Sequence, residues 1–243
     1  PTEGEMPRFN TSMEQVLATL RQEGLCKIPN FLDSSEITKL KEEMVGAFSK
    51  MSTGDELCYP NESSKAYPFG KLCRVGHDDL HNFPVITNTF NNTWFSNFAD
   101  IYFRCPNQQM LQVFFSHEYL KPDDVEGVTR NSVLHVDPYE ALKYMIYIND
   151  CDENNGAFRY IKGSHSDGYQ ARTSHTVGTL LGDKYRLDQN PALASKYSEN
   201  DVTYASASAG SLLIFTTDII HGGGILKQDN TERMAIICHN RRR

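Results

Sequence analysis

Hydrophobic residues follow one period in the first hundred positions of the chain and another after about residue 108. "SMEQVLATLRQEG" reads as an amphipathic helix ending at Gly24, glycine being the common residue where a helix C-terminus turns left-handed. "GLCKIPNFL" reads as a short strand closed by Pro29. "DSSEITKLKEEMVGAFSKM" reads as a second helix, with Asp33 and Glu36 in capping-box spacing. Ile37, Leu40, Met44, Phe48 and Met51 recur on it at helical intervals, a core-facing stripe. Residues 52–90 are rich in Pro, Gly, Asn and Ser and read as irregular, and a short aromatic helix, "WFSNFADIYF", follows.

From residue 108 onward, six apolar or alternating runs are separated by turn residues: "QQMLQVFFSHEYL", "NSVLHVD", "LKYMIYI", "AFRYI", "GSLLIFTT" and "ERMAIICH". Strands at this spacing suit an antiparallel sandwich or closed barrel. The polar stretch 163–209 reads as a helical or loop excursion between two of them. With no internal repeat and no clear linker, the pattern predicts one domain over 1–243. Its fold class is mainly β with helices (α+β), a helical N-terminal part (1–51) packing on one sheet of a β core (108–239).

Composition narrows the function. A chain of 243 residues, 39% hydrophobic and 11% aromatic, can bury a substantial core. Its net charge of −7 argues against a nucleic-acid or acidic-membrane binder, and the final "RRR" reads as a solvated terminus. No apolar run approaches the roughly 18 residues of a membrane span. The 6 cysteines are scattered without a C-x-x-C pair, which points to a reduced, cytoplasmic protein. The expected partner is a small-molecule substrate, bound by a monomer or homodimer.

Three His-x-Asp pairs occur: His77/Asp79, His135/Asp137 and His165/Asp167. The first and third lie among glycines and read as loop or turn polar groups. The second lies in a strand pattern, where residues i and i+2 leave the same face. Pro138 then removes a ladder donor and ends the strand. A redox-active iron site uses two His and one carboxylate and leaves positions open. His221, delivered by the apolar run "GSLLIFTTDII" and followed by three glycines, is the candidate for the second His. Twelve residues later Arg233 shares a strand face with Ala235 and Ile237. A guanidinium there needs a carboxylate, and Asp218, Glu232 or a dicarboxylic cosubstrate would each serve.

These segments, "HVD", "ENNGAFRYIKGSH", "AGSLLIFTTDIIHGGG" and "NTER" in that order, resemble the phytanoyl-CoA dioxygenase family of Fe(II)/2-oxoglutarate oxygenases. The resemblance runs over roughly 24–239 and is weakest over 52–107. Lys162 departs from the family's Pro, Ser211 from its Asp and Thr231 from its Asn-Ser pattern, and none of the three is a ligand. The resemblance implies a double-stranded β-helix (jelly-roll, cupin-like) core. It implies Fe(II) held by His135, Asp137 and His221, and Arg233 pairing the far carboxylate of the cosubstrate 2-oxoglutarate. Met145 and His117 fall at its cosubstrate-lining positions. With O2, such a site converts 2-oxoglutarate to succinate and CO2 and oxidises the substrate, most simply by hydroxylation. Related halogenases carry a small residue where Asp137 stands, so the carboxylate argues for oxygen transfer. Lys71, Arg74 and Arg159 are candidates to hold an anionic substrate. Two other readings stay open: a zinc-type hydrolase or isomerase on the same ligands, and a non-catalytic jelly-roll binding protein.

Overall fold

The first two helices begin at reciprocal caps. At α1 (Met13–Glu23), Ser12 Oγ accepts from the Gln15 N–H at 3.2 Å and Gln15 Oε1 from the Ser12 N–H at 2.9 Å. Gly24, at φ 81°, ends it. Asp33 and Glu36 repeat the device at α2 (Ser34–Phe48). In the computed structural model, the residues described are 11–49, 56–59, 70–105, 109–119, 132–174, 185–227 and 231–241. Leu40, Met44 and Phe48 of the expected stripe are buried, while Met51 lies outside the described residues.

Between these helices runs β1 (Leu25–Ile28). It joins β2 (Glu56–Tyr59), β3 (Gly70–Gly76), β4 (Gln109–Tyr119), β5 (Ala141–Tyr147), β8 (Leu212–Thr216) and β10 (Glu232–Arg241) in one sheet. Its order is β1-β8-β5-β10-β4-β3-β2, antiparallel except for the β2·β3 pair. A second sheet, β7-β6-β9, contains β6 (Arg159–Ile161), β7 (Val202–Tyr204) and β9 (His221–Gly222). The pairing is nested when strands are counted from β4 with the His135 segment as the second. The first pairs with the eighth (β4·β10) and the second with the seventh (His135 with His221 of β9). The third pairs with the sixth (β5·β8) and the fourth with the fifth (β6·β7). That nesting makes the core a double-stranded jelly roll.

Helices cover the outer face of the larger sheet. Leu20 of α1, Met44 of α2, Ile86 of α3 (Pro84–Phe90) and Trp94 of α4 (Thr93–Phe103) share one core with Tyr144 and Ile146 of β5. Met145 and Tyr147 of β5 point the opposite way, into the space between the sheets. Leu212 and Ile214 of β8 likewise face the helices, and Leu213 and Phe215 face the second sheet. A strand buried on both faces reads as a continuous apolar run, which is why β5 and β8 show no alternation.

Three expectations need correction. The region read as irregular, 52–90, contributes β2 and β3 to the larger sheet and α3 to its helical cover. "GKLCRVG" is too short and too Gly-flanked to stand out, yet β3 pairs along its whole length with β4. The segment "NSVLHVD" is no ladder strand. Among its described residues, only the bridges at His135 give it sheet character. His165 and Asp167 also lie on a helix, α5 (His165–Thr173), where a turn was expected. Asp167 there takes Lys196 at 2.6 Å and Tyr197 at 2.7 Å.

Candidate metal centre and its cavity

The segment that carries His135 and Asp137 is held from both sides without a ladder. His135 exchanges two backbone hydrogen bonds with His221, each 2.8 Å, and the Val136 N–H donates to the Tyr185 carbonyl at 2.8 Å. The Asp137 N–H donates to the Thr217 carbonyl at 3.1 Å. Leu134 and Val136 are buried beside Leu187 and Ile220, so alternation turns His135 and Asp137 into the space between the sheets. His221 arrives because the chain leaves β8 in the larger sheet and enters β9 in the smaller one. The glycines behind it crowd backbone. A Cβ on Gly222 would lie 2.9 Å from the Ser132 carbonyl oxygen, and one on Gly224 2.0 Å from the Gly156 carbonyl.

The three side chains converge. Asp137 Oδ1 lies 3.6 Å from His135 Nε2 and 3.8 Å from His221 Nε2, and one ligand atom from each residue lies within 4.8 Å of the others. The Nδ1–H of His135 donates to the Val133 carbonyl at 2.7 Å, and that of His221 to the Ile219 carbonyl at 2.7 Å. A carbonyl only accepts, so Nδ1 carries a proton in both imidazoles, which leaves Nε2 of each on the side of Asp137. Burial, aided by His135, pushes His221 down to about 3, against the pull of Asp137, and keeps it a neutral ligand. Burial also pushes the Asp137 carboxyl up, but Lys143 and the two imidazoles together hold it well below the usual range. Lys143 Nζ sits 2.6 Å from Oδ2, the oxygen that does not face the histidines. Two imidazoles and one carboxylate oxygen on one side of an open space form a donor set that fits Fe(II).

A cavity of about 240 Å3 extends from these residues along the inner face of the larger sheet. Cross-strand register orders its floor. Arg233 of β10 opposes Glu118 of β4, Ile237 opposes Phe114 and Met145, and His239 opposes Lys143. Arg233 and His239 therefore stand six positions apart, about 20 Å along the strand. Lys143 and His239 lie at one end, where burial holds the His239 imidazole neutral. Arg233 lies at the other and is nearly buried, at 4% exposure. His221 packs against Phe158 at a tilt and against Phe215 edge-on, with ring centroids 5.5 and 5.6 Å away.

Of the other residues expected at the site, Met145 and Arg233 line this cavity and His117 does not. β4 turns Phe114, Ser116 and Glu118 inward. His117 goes to the opposite face with Phe115, its ring 6.1 Å from Phe48 and its Nε2 2.8 Å from Glu232. A count displaced by one residue moves a strand position to the other face, so the inward positions are Ser116 and Glu118. The carboxylate on Arg233 is also a different one from those expected. Asp218 is held by Arg172 at 2.6 Å and Glu232 by His117, whereas Arg233 Nη2 pairs with Glu118 Oε1 at 2.5 Å. Arg233 Nη1 donates to the Gly156 carbonyl at 3.0 Å. Among the anion-binding candidates, Arg74 lines the cavity over the Phe114 ring. Arg159 is a brace between Glu199 and the Ser132 carbonyl. The Lys71 side chain lies outside what is described.

Sequence reasoning passed over Lys143, Glu118 and Ser116. Lys143 was on the right face, two residues before Met145. The other two required the β4 register, which no local pattern carries. Ser116 is 2% exposed, and its hydroxyl lines the cavity with no hydrogen-bond partner among the described residues. An orphaned buried hydroxyl one row from Arg233 is what a carboxylate-bearing ligand would satisfy. No helix of the described residues is long and apolar enough to cross a membrane.

Comparison with known proteins agrees with the geometry. The dioxygenase cdmA of Talaromyces verruculosus is 24% identical over 245 residues, spanning 94% of this chain and 73% of that protein. The structure of the epimerase SnoN, in complex with Fe3+, alpha ketoglutarate and nogalamycin RO, superposes with a TM-score of 0.63. It is 14% identical and covers 94% of this chain and 83% of SnoN. The non-heme alpha ketoglutarate dependent carbocyclase SnoK gives a TM-score of 0.62 at 15% identity, over 95% and 84% of the two chains. Residues 20–231 match the phytanoyl-CoA dioxygenase family, spanning both halves of the His/Asp/His cluster, and the chain belongs to that family.

Proposed function

We propose that this protein is an Fe(II)- and 2-oxoglutarate-dependent dioxygenase that hydroxylates a small molecule. One observation carries the reading. Two imidazoles with pinned Nδ1–H groups and one carboxylate oxygen converge on a cavity that also contains a buried arginine. Bound there, the iron and its cosubstrate would supply the oxidising chemistry, with succinate and CO2 as coproducts. His135, Asp137 and His221 would hold the metal on one side and leave the cavity side open. Asp137 would present Oδ1 to it, while Lys143 keeps Oδ2 occupied. Arg233 and the Ser116 hydroxyl would receive the far carboxylate of 2-oxoglutarate. Met145, Phe158 and Phe215 wall the space between with apolar surface. The substrate would enter at the end lined by Arg74, Phe114 and Tyr139.

Hydroxylation is favoured within this chemistry because Asp137 fills the carboxylate position, leaving no protein-vacated place for a halide. SnoN and SnoK, an epimerase and a carbocyclase, mark the other outcomes that a screen should score. The test is oxygen-dependent succinate formation by the iron-loaded protein across a small-molecule panel, with products weighed by mass. The reading expects succinate matched to a product one oxygen heavier, lost in His221→Ala and restored in Arg233→Ala only at raised 2-oxoglutarate. Succinate absent under every condition would refute it. Turnover indifferent to oxygen and to Arg233→Ala would favour a metal-dependent hydrolase.

A further inference from the structure

The arginine meant for the cosubstrate already holds a carboxylate. Glu118 and Arg233 oppose each other in the β4·β10 ladder, their side chains 3% and 5% exposed, and Nη2 meets Oε1 at 2.5 Å. The second guanidinium nitrogen donates to the Gly156 carbonyl, which is fixed by a residue at φ 89° and packed against Gly224. Both glutamate and arginine line the same cavity, beside the Ser116 hydroxyl. An incoming dicarboxylate would therefore meet a guanidinium whose charge is already neutralised. It would also bring its own far carboxylate next to Glu118, in a buried setting where like charges repel strongly.

We propose that Glu118 is a specificity-determining residue that occupies Arg233 in place of the cosubstrate and thereby weakens 2-oxoglutarate binding. This rests on the reading of Arg233 as the anchor for the far carboxylate. Cosubstrate binding is then an exchange of one carboxylate partner for another, and Glu118 sets how much 2-oxoglutarate the protein needs. Replacing Glu118 by its neutral isostere leaves Arg233 a buried cation without that counter-charge, which a dicarboxylate can supply. A 2-oxo acid without the far carboxylate, such as pyruvate, never reaches this end of the cavity and should bind Glu118→Gln and the native protein alike.

The experiment is calorimetric titration, without oxygen, of Fe(II)-loaded native protein and Glu118→Gln with 2-oxoglutarate and with pyruvate. The proposal expects 2-oxoglutarate to bind Glu118→Gln at least tenfold more tightly, with pyruvate changed less than twofold. Thermal melting should move the same way, 2-oxoglutarate raising the melting temperature of Glu118→Gln more than that of the native protein. If Glu118→Gln does not fold, Glu118→Asp, which keeps the charge but withdraws it by one methylene, should still bind 2-oxoglutarate severalfold more tightly. Equal or weaker binding of 2-oxoglutarate by the folded variant, or equal gains for both acids, overturns the proposal. Absence of 2-oxoglutarate binding in the native protein as well would instead overturn the cosubstrate reading itself.

Discussion

Removing the ammonium of Lys143 should destabilise the metal-free protein far more than the metal-bound one. Its Nζ lies 2.6 Å from Asp137 Oδ2, with the two side chains 13% and 11% exposed. At that separation and an effective dielectric of about 20, the gross attraction is about 6 kcal/mol. Part of it is offset by the desolvation that Lys143 no longer suffers once it is gone. Breaking a buried pair by removing one partner typically costs about 3–5 kcal/mol, because the remaining charge is left uncompensated. For a chain of this size, about 2–4 °C of melting temperature is lost per kcal/mol. Lys143→Met should therefore melt roughly 6–20 °C below the native protein in EDTA. A divalent cation supplies the missing positive charge, so added Ni(II) should raise the melting temperature of Lys143→Met more than that of the native protein. Lys143→Arg, which keeps the charge, should lose less. Native-like melting of Lys143→Met in EDTA would refute the claim that this ion pair neutralises Asp137.

Other expectations follow from particular contacts. The Tyr147 hydroxyl, fully buried, accepts from the Phe158 N–H at 2.8 Å. Tyr147→Phe orphans that donor in the cavity wall and should cost about 1–3 kcal/mol in denaturant unfolding; an unchanged midpoint would contradict it. Asp167 has its carboxyl held below the usual range by hydrogen bonds from Lys196 and then Tyr197. Its contribution is complete above the unfolded-state carboxylate value and lost as pH falls through the lowered folded one. Asp167→Asn should therefore flatten the acid limb of a stability–pH profile, and an unchanged limb would count against the brace. His117→Ala should leave 2-oxoglutarate affinity unchanged, because its ring faces Phe48 and Glu232; a tenfold loss would restore the opposite register of β4.

The cap of the second helix, Gly24 and the His-x-Asp pair were legible in the sequence because each is decided within a few residues. Asp33 and Glu36 satisfy each other locally, and Leu134 and Val136 turn His135 and Asp137 inward by simple alternation. The phytanoyl-CoA dioxygenase resemblance supplied the jelly roll, whose nested pairing no local pattern specifies. What escaped depends on long-range register. β3 is a strand because β4 lies beside it, and "NSVLHVD" is not one because its partners are Tyr185, Thr217 and His221 rather than a neighbouring ladder. His117 was misplaced by one position, which on a strand means the opposite face. Glu118 became visible as the partner of Arg233 only once β4 and β10 were aligned, 115 residues apart in sequence.

The convergence of His135, Asp137 and His221 on one side of a cavity that ends at Arg233 is the central claim, and its most direct test is spectroscopic. Oxygen-free protein should be titrated with Fe(II) and then 2-oxoglutarate while the visible spectrum is followed. A weak charge-transfer band from the chelated 2-oxo acid should grow to one equivalent and be absent in His135→Ala. No band from the intact protein, or a band that survives loss of His135, would contradict the account.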